Sequence, residues 1–408
     1  MNHRTILISG ASIAGPALAH WLVRHGFEVT VVEKAPALRG GGYPVDIRGT
    51  ARDVVERMGL LPRLREAHVD SRRLSFVDPD GAVLATIRPE AVTGGTEGLD
   101  LEVRRGDLAD SLYSVVGERA EFLFNDSIAT LHEHADRVEV TFDSGARRVF
   151  DLVIGADGLH SHTRGLVFGP EERFHRYLGY CFAGFTLPND LGLEHEGVTW
   201  NVPGRAAILY APTPGKPVHG FLTFARDEPP FSAFRDPRAQ RDLVASMFTD
   251  TRWEIPRMVA AMRDADDLFF DVVSQIHMPA WSAGRVALVG DAAHATSFMS
   301  GQGSSVSLVG AYVLAGELAT HADHTAAFTA YEKKTRAFVE LNQALATAGG
   351  GVVAPRTQEQ LDARNAALRA PSRRLPSGDL GHEANTALVL PDYAPTTRPY
   401  APGLPQRN

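Results

Sequence analysis

The chain has 408 residues, 44% of them hydrophobic and 22% charged, the make-up of a soluble globular protein long enough for two intertwined domains. A net charge of -8 argues against non-specific nucleic-acid binding, and no apolar run reaches the roughly 20 residues of a membrane span. The single Cys181 excludes an intramolecular disulfide framework and fits a reducing cytoplasm, and no Cys/His spacing suited to a metal is present.

In chain order, Thr5 to Ser9 is a short apolar strand that leads into Gly10-Ala-Ser-Ile-Ala-Gly15. A helix with apolar Ala17, Leu18, Trp21 and Leu22 follows and ends at Gly26, and Glu28 to Glu33 is a second strand closed by an acid. Strand, glycine turn, helix and acidic strand end make up a dinucleotide-binding βαβ unit. Gly10 permits the tight turn and Gly15 lets helix and strand pack closely. The helix start around Ser12 and Ala14 offers free N–H groups and a positive dipole end to a pyrophosphate. Ser12 stands where a middle glycine is usual, and its hydroxyl can donate to a phosphate oxygen. Glu33 is placed to accept hydrogen bonds from a ribose, with Lys34 beside it as a further cofactor contact.

Residues 50 to 68 read as one helix, and 73 to 87 as a hairpin around Asp78-Pro-Asp-Gly81. Arg105 opens an amphipathic helix, strands follow near 120–124, 128–132 and 138–142, and Phe150 to Gly155 is a buried strand running into Asp157. From about 177 to 226 the chain becomes short aromatic-rich strands separated by Pro and Gly, the pattern of an antiparallel sheet. His160-Ser-His162 reads as solvated polar residues in a turn. Helices are expected near 238–249 and 256–265, then a strand at 269–275. A late apolar strand, Val286 to Val289, runs into Gly290-Asp291, with Gly301 and Gly303 about ten residues on. Long helices at 305–318 and 325–348 precede a last thirty or so residues that read as a weakly packed, Pro-rich tail.

The late segment delivers a carboxylate and bare backbone to a sugar-phosphate chain already held by the N-terminal turn. Two distant segments converging on one extended cofactor point to FAD rather than a mononucleotide. The fold class is therefore α/β, a Rossmann-like FAD-binding domain interleaved with an antiparallel-sheet substrate domain and a C-terminal helix. The expected division gives 1–72, 99–172 and 278–330 to the FAD-binding domain and 73–98 with 173–277 to the substrate domain. Residues 331–408 form the C-terminal helix and tail. Ligand chemistry belongs where the inserted sheet meets the carboxyl ends of the parallel strands.

Three motifs in this order resemble the flavoprotein monooxygenases of the para-hydroxybenzoate hydroxylase type. They are Gly10 to Gly15 with Glu33, Asp151 to Gly158 with Ser161 and Arg164, and Gly290-Asp291 with Gly301 and Gly303. Within that family the nearest look is to tetracycline-inactivating enzymes and polyketide-tailoring relatives of actinomycetes. The resemblance implies FAD contacts at Asp46 in the Gly41 to Asp46 loop, at Arg105, Asp157 and Asp291, and at Gly301 and Gly303. It implies an NAD(P)H contact at Arg39. It also implies that NADPH or NADH reduces FAD, that O2 is co-substrate, and that one oxygen atom enters an aromatic or polycyclic, polyketide-like small molecule, as a hydroxylation. The protein would act in antibiotic biosynthesis or inactivation as a cytoplasmic monomer or weak homodimer, without nucleic-acid, membrane or metal partners.

Where the family commonly has proline after the late motif this chain has Phe298, and Ser305 and Gly310 replace an asparagine and an acid. Phe298 and Met299 are therefore pocket-wall candidates, with Phe221 and Phe224 from the inserted sheet. Alternation puts Phe221 on the same face as His219 and Phe224 on the other. His219 is the candidate base for deprotonating a phenolic substrate, with Tyr210 a second ionisable group in the same sheet. A reductase or dehydrogenase without oxygen insertion, or a flavin protein that sequesters a ligand, uses the same FAD motifs. A halogenase is excluded by the lack of a W-x-W-x-I-P stretch.

Overall fold

Thr5–Ser9 (β1) buries Ile6, Leu7 and Ile8 completely, as a strand of a parallel sheet covered on both faces must. The computed structural model describes residues 4–38, 40, 42–96, 98–211, 213–230, 236–370 and 376–393. In it β1 lies inside a six-stranded sheet, between Glu28–Glu33 (β2) and Leu152–Gly155 (β11). Glu121–Phe124 (β7) extends the sheet beyond β2, and Val286–Leu288 (β18) and Ser282–Ala283 (β17) extend it beyond β11. Every pairing except β17 with β18 is parallel. Strands more than a hundred residues apart are thereby neighbours, which places the turns after β1, β11 and β18 side by side at one end.

A three-stranded antiparallel layer of Ile128–Glu133 (β8), Val138–Phe142 (β9) and Arg147–Phe150 (β10) leads into β11. Pro44–Ile47 (β3) pairs antiparallel with Leu101–Arg104 (β6) as a separate ribbon.

The inserted segments build a seven-stranded sheet. Its order is Phe269–Ile276 (β16), His175–Leu187 (β12), Val218–Ala225 (β15), Arg205–Ala211 (β14), Glu196–Val202 (β13), Arg73–Val77 (β4) and Val83–Ile87 (β5). Period-two alternation sorts its residues onto two faces. Cys181, Trp200, Leu209, Leu222 and Phe224 pack against Val244, Phe248, Met258 and Met262 from the helices Pro237–Met247 and Ile255–Asp264. Asp236 starts the first of these by accepting from the Arg238 and Ala239 amides. The other face carries Phe182, Tyr210, His219 and Phe221 toward the nucleotide side. Burial pushes the Cys181 thiol up to about 11, so it behaves as a packed apolar group.

Two sequence expectations need correction. Residues 50 to 68 form two helices, Thr50–Arg57 and Leu61–Glu66. Gly59 (φ 76) ends the first, with the Leu60 amide reaching back to the Val55 carbonyl, and Pro62 opens the second. The C-terminal region is also better packed than its composition suggests. Helices Gln358–Arg369 and Pro376–Thr386 form, and the Tyr393 ring fills a notch at Gly316, where an added Cβ would lie 2.1 Å from the ring. Its hydroxyl donates to the buried Glu317 carboxylate. The remainder of the expected tail, 394–408, lies outside the described residues, among which no helix is long and apolar enough to cross a membrane.

Candidate functional site

The site grows from the turn after β1. Gly10 takes φ 107, and an added Cβ there would stand 2.5 Å from the Ala156 carbonyl oxygen, so the turn and the end of β11 touch through bare backbone. A Cβ on Gly15 would lie 1.9 Å from the Gly10 carbonyl oxygen, which fixes the Ala14–Arg24 helix directly on the turn. That helix has no side-chain cap and no acid in its first turn, so its leading amides are left for a ligand. The Glu33 carboxylate is held at the mouth by the Ala11 and Ala35 amides, each at 2.9 Å. Lys34 follows it, exposed.

Arg105, first residue of the helix Arg105–Val116, donates to the Ser12 hydroxyl at 2.8 Å. The late motif closes the same space. Gly290 (φ 65) is packed so tightly that an added Cβ would sit 2.9 Å from Ala14 Cβ and from Ser307 Oγ. Burial pushes the Asp291 carboxyl above its usual range, and only the Arg105 charge opposes this. The Asp291 side chain, half-buried, has no hydrogen bond or ion pair to any described residue. A partly desolvated carboxylate in that state favours a ligand group that can meet it. A Cβ at Gly303 would lie 3.6 Å from Asp291 Oδ1, and one at Gly301 would lie 3.2 Å from Asp46 Oδ2. The uncapped helix start, the glycine cradle and the unmet carboxylate together fit a dinucleotide such as FAD.

Asp157 stands beside Gly10 through its backbone. Its carboxylate, however, already accepts from the Ser161 hydroxyl and from the Thr163 amide and hydroxyl, so it organises the turn into the helix His162–Phe168. His160 is exposed in a turn, as read, and also bridges Asp271 of β16 at 3.4 Å and Glu171 at 2.8 Å, carboxylates that raise it to about 10. Arg39 and Gly41 lie outside the described residues.

Across from the nucleotide cradle is an aromatic wall. The short turn Phe298–Ser300 follows Ser297, held at φ 86, and aims Phe298 at the inserted sheet. The Phe298 ring stacks on Phe182 (4.5 Å, 9°), meets Tyr43 edge-on (6.1 Å, 90°) and lies 5.9 Å from Phe221. Met299 joins the same apolar group with Tyr180 and Phe182. Phe269, nearly half exposed, extends the wall outward from Phe182 at 5.7 Å. Phe224 is not brought to this wall. It is fully buried on the opposite face, against Phe248. His219 does face the wall side, opposite Thr186 and Tyr210, and burial together with Arg104 holds its imidazole below the usual range.

Sequence reasoning named Asp46 and Tyr210 but missed Glu102 and Arg48, which join them. Asp46 and Glu102 are register partners on β3 and β6, so their carboxyls share one face of the ribbon. Arg48 pairs with Asp46 at 2.6 Å, and its own Nε and Nη1 are buried without partners. Glu102 accepts from the Tyr210 hydroxyl at 2.6 Å and from Ser71 at 2.9 Å. A lone acid in the short alternating strand before Arg105 was the available signal.

The sequence profile of the FAD binding domain family matches residues 257–345, the stretch that carries Gly290-Asp291, Gly301 and Gly303. The chain is 40% identical over 342 residues to a flavin-dependent monooxygenase of an unknown prokaryotic organism, covering 84% of this chain and 88% of that protein. It is 45% identical to an uncharacterized protein of Mycobacterium tuberculosis, covering 88% and 97%. The crystal structure of the tetracycline destructase Tet(55) superposes with a TM-score of 0.83 at 35% identity, covering 96% of this chain and 99% of that one.

Proposed function

The chain belongs to the FAD-dependent monooxygenases, and on that footing we propose that it hydroxylates an aromatic or polycyclic, polyketide-like molecule with NADPH or NADH as reductant and O2 as oxygen source. The observation that carries this reading is the pairing of an unmet, half-buried Asp291 with an aromatic wall a few residues further along the same segment.

When bound, FAD supplies the two-electron redox chemistry and the activation of O2 that no side chain provides. The protein's own residues do the rest. The first amides of the Ala14–Arg24 helix would hold the pyrophosphate, with Gly10, Ser12, Ala14 and Gly15 giving it access and Glu33 and Lys34 available to the ribose. Arg105 and Asp291 would hold polar groups of the cofactor, Gly301, Gly303 and Asp46 would give its other end room and a charge, and Asp157 keeps the turn beside Gly10 in shape. Phe298, Met299 and Phe221 exclude water and offer ring faces to a planar substrate. His219, neutral at pH 7, is placed to accept a proton from a substrate hydroxyl. In this reading Arg39 contacts the nicotinamide dinucleotide, and the division into an FAD unit (1–72, 99–172, 278–330) and a substrate unit (73–98, 173–277) is functional. The enzyme works in the cytoplasm as a monomer or weak homodimer.

Tet(55), a tetracycline destructase by name, makes a tetracycline the first compound to try. Incubation with NADPH and isotopically labelled O2 should give a product carrying one labelled oxygen atom per NADPH consumed. Flavin reduction with no label entering tetracycline or any simpler polyphenol sinks the oxygen-insertion reading in favour of a reductase.

A further inference from the structure

The carboxyl of Glu102 sits where three elements meet. From β3 it faces Asp46, with Arg48 just beyond the strand, and from β14 it faces Tyr210. Ser71 approaches from the segment before β4, and its hydroxyl also touches that of Tyr210. His68 contacts the Glu102 backbone, and Asp100 belongs to the loop that enters β6. The three hydroxyl and carboxyl groups of Ser71, Tyr210 and Glu102 thus close a ring that ties the β3–β6 ribbon to the inserted sheet. Tyr210 lies directly opposite His219 on the face that also bears Phe221, and Asp46 reaches toward the Gly301 turn. One short chain of polar groups therefore runs from the aromatic cleft to the Gly301 turn.

We propose that Tyr210 and Glu102 form a proton station for the cleft: a ligand hydroxyl seated on the sheet gives its proton to Tyr210 Oη while Tyr210 passes its own to the Glu102 carboxylate. One O–H bond breaks on the ligand and one forms on Glu102. The ligand oxygen keeps the electron pair as an oxyanion, nothing is oxidised or reduced, and the reverse transfer reprotonates the product.

The surroundings suit each partner to its part. Burial and the Glu102 charge keep the Tyr210 hydroxyl far above its usual range, so it hands a proton on rather than holding a charge. Burial and then Asp46 raise Glu102 to about 7, against the opposing hydrogen bonds of Tyr210 and Ser71 and the charge of Arg48. A carboxyl divided between its two forms near neutrality is matched to accept from, and return to, a phenol. Burial alone would lower Arg48, but Asp46, Glu102 and Asp100 outweigh it, so its cation stays fixed beneath the pair. The station's use in catalysis rests on the hydroxylation reading, but its existence does not.

The test uses the FAD-loaded protein and 3-nitrophenol at pH 7.5, where the free phenol is mostly un-ionised, followed by infrared difference spectroscopy. Binding should raise a protonated-carboxyl C=O band that shifts in D2O and is missing in Glu102→Gln. In Tyr210→Phe the nitrophenolate absorbance should develop at least tenfold more slowly. No carboxyl band on binding, with the flavin spectrum perturbed to show that the phenol has bound, overturns the proposal, as does a band that survives in Glu102→Gln. Oxygen labelling is scored separately, so a carboxyl band without label incorporation removes the oxygenase reading and leaves the station. Label incorporation without the band does the reverse.

Discussion

The two faces of the seven-stranded sheet are made by the same strands from alternate residues, yet they are finished differently. The face toward the helices Pro237–Met247 and Ile255–Asp264 is complete: Trp200, Leu209, Leu222 and Phe224 are fully buried against apolar partners. The face toward the nucleotide cradle mixes Phe182 and Phe221 with Tyr210 and His219, and opposite it stand the unmet Asp291 carboxylate and an Arg48 guanidinium that is paired with Asp46 yet leaves Nε and Nη1 without partners. One residue step along β15 thus separates side chains that hold the fold from side chains that await a ligand.

Paired truncations should expose this contrast most strongly. Phe224→Ala should destabilise the protein by about 3–5 kcal/mol by opening a sealed cavity, while Phe221→Ala, which opens onto the cleft, should cost about 1–2 kcal/mol. Denaturant unfolding of the apo forms reads both, and equal losses would erase the distinction between the faces. Next in size is Asp291→Ala. It should weaken FAD retention roughly tenfold to a hundredfold, the worth of a charge-assisted hydrogen bond, while leaving apo stability nearly unchanged because no described group pairs with the half-buried carboxylate. Unaltered flavin occupancy would remove Asp291 from the site.

The smallest effect belongs to His160→Gln, at the junction of the two regions. Because the His160 side chain is about half exposed, the change should cost less than about 1 kcal/mol despite the size of its shift. Its folded-state pKa is raised to about 10, so its contribution is full below its unfolded value near 6.5 and is lost as pH rises through 10. Melting curves of wild type and variant should therefore converge in alkaline buffer; divergence there would mean that His160 acts by packing instead.

The same contrast explains what the sequence disclosed. The nucleotide cradle is local: Gly10, Gly15 and Glu33 fall within one βαβ unit, so spacing alone brings them together. The late Gly290-Asp291 turn was legible because strand, glycine and acid are contiguous. The Asp46–Glu102 pair was not, since it depends on the register of two four-residue strands more than fifty positions apart. Alternation did separate Phe221 from Phe224, but which face would meet the cleft depends on helices added later in the chain. The docking of Tyr393 at Gly316 was hidden for a related reason: a missing Cβ is visible in a sequence, but its occupant is not.

The order of the parallel sheet has a consequence for biosynthesis. The edge of β11 is closed by β18, which is 131 positions further along counting from Gly155 to Val286. At about 5–20 residues per second, a ribosome needs roughly 7–26 seconds to supply that strand. For that interval the nascent protein carries an apolar, unpaired strand edge, the template on which misassociation starts. Five of the insert's seven strands, β12 to β16, are made within the same interval, and the insert needs only β4 and β5, already made, to complete its sheet. It can fold first and shield the waiting edge until Val286 to Leu288 emerge.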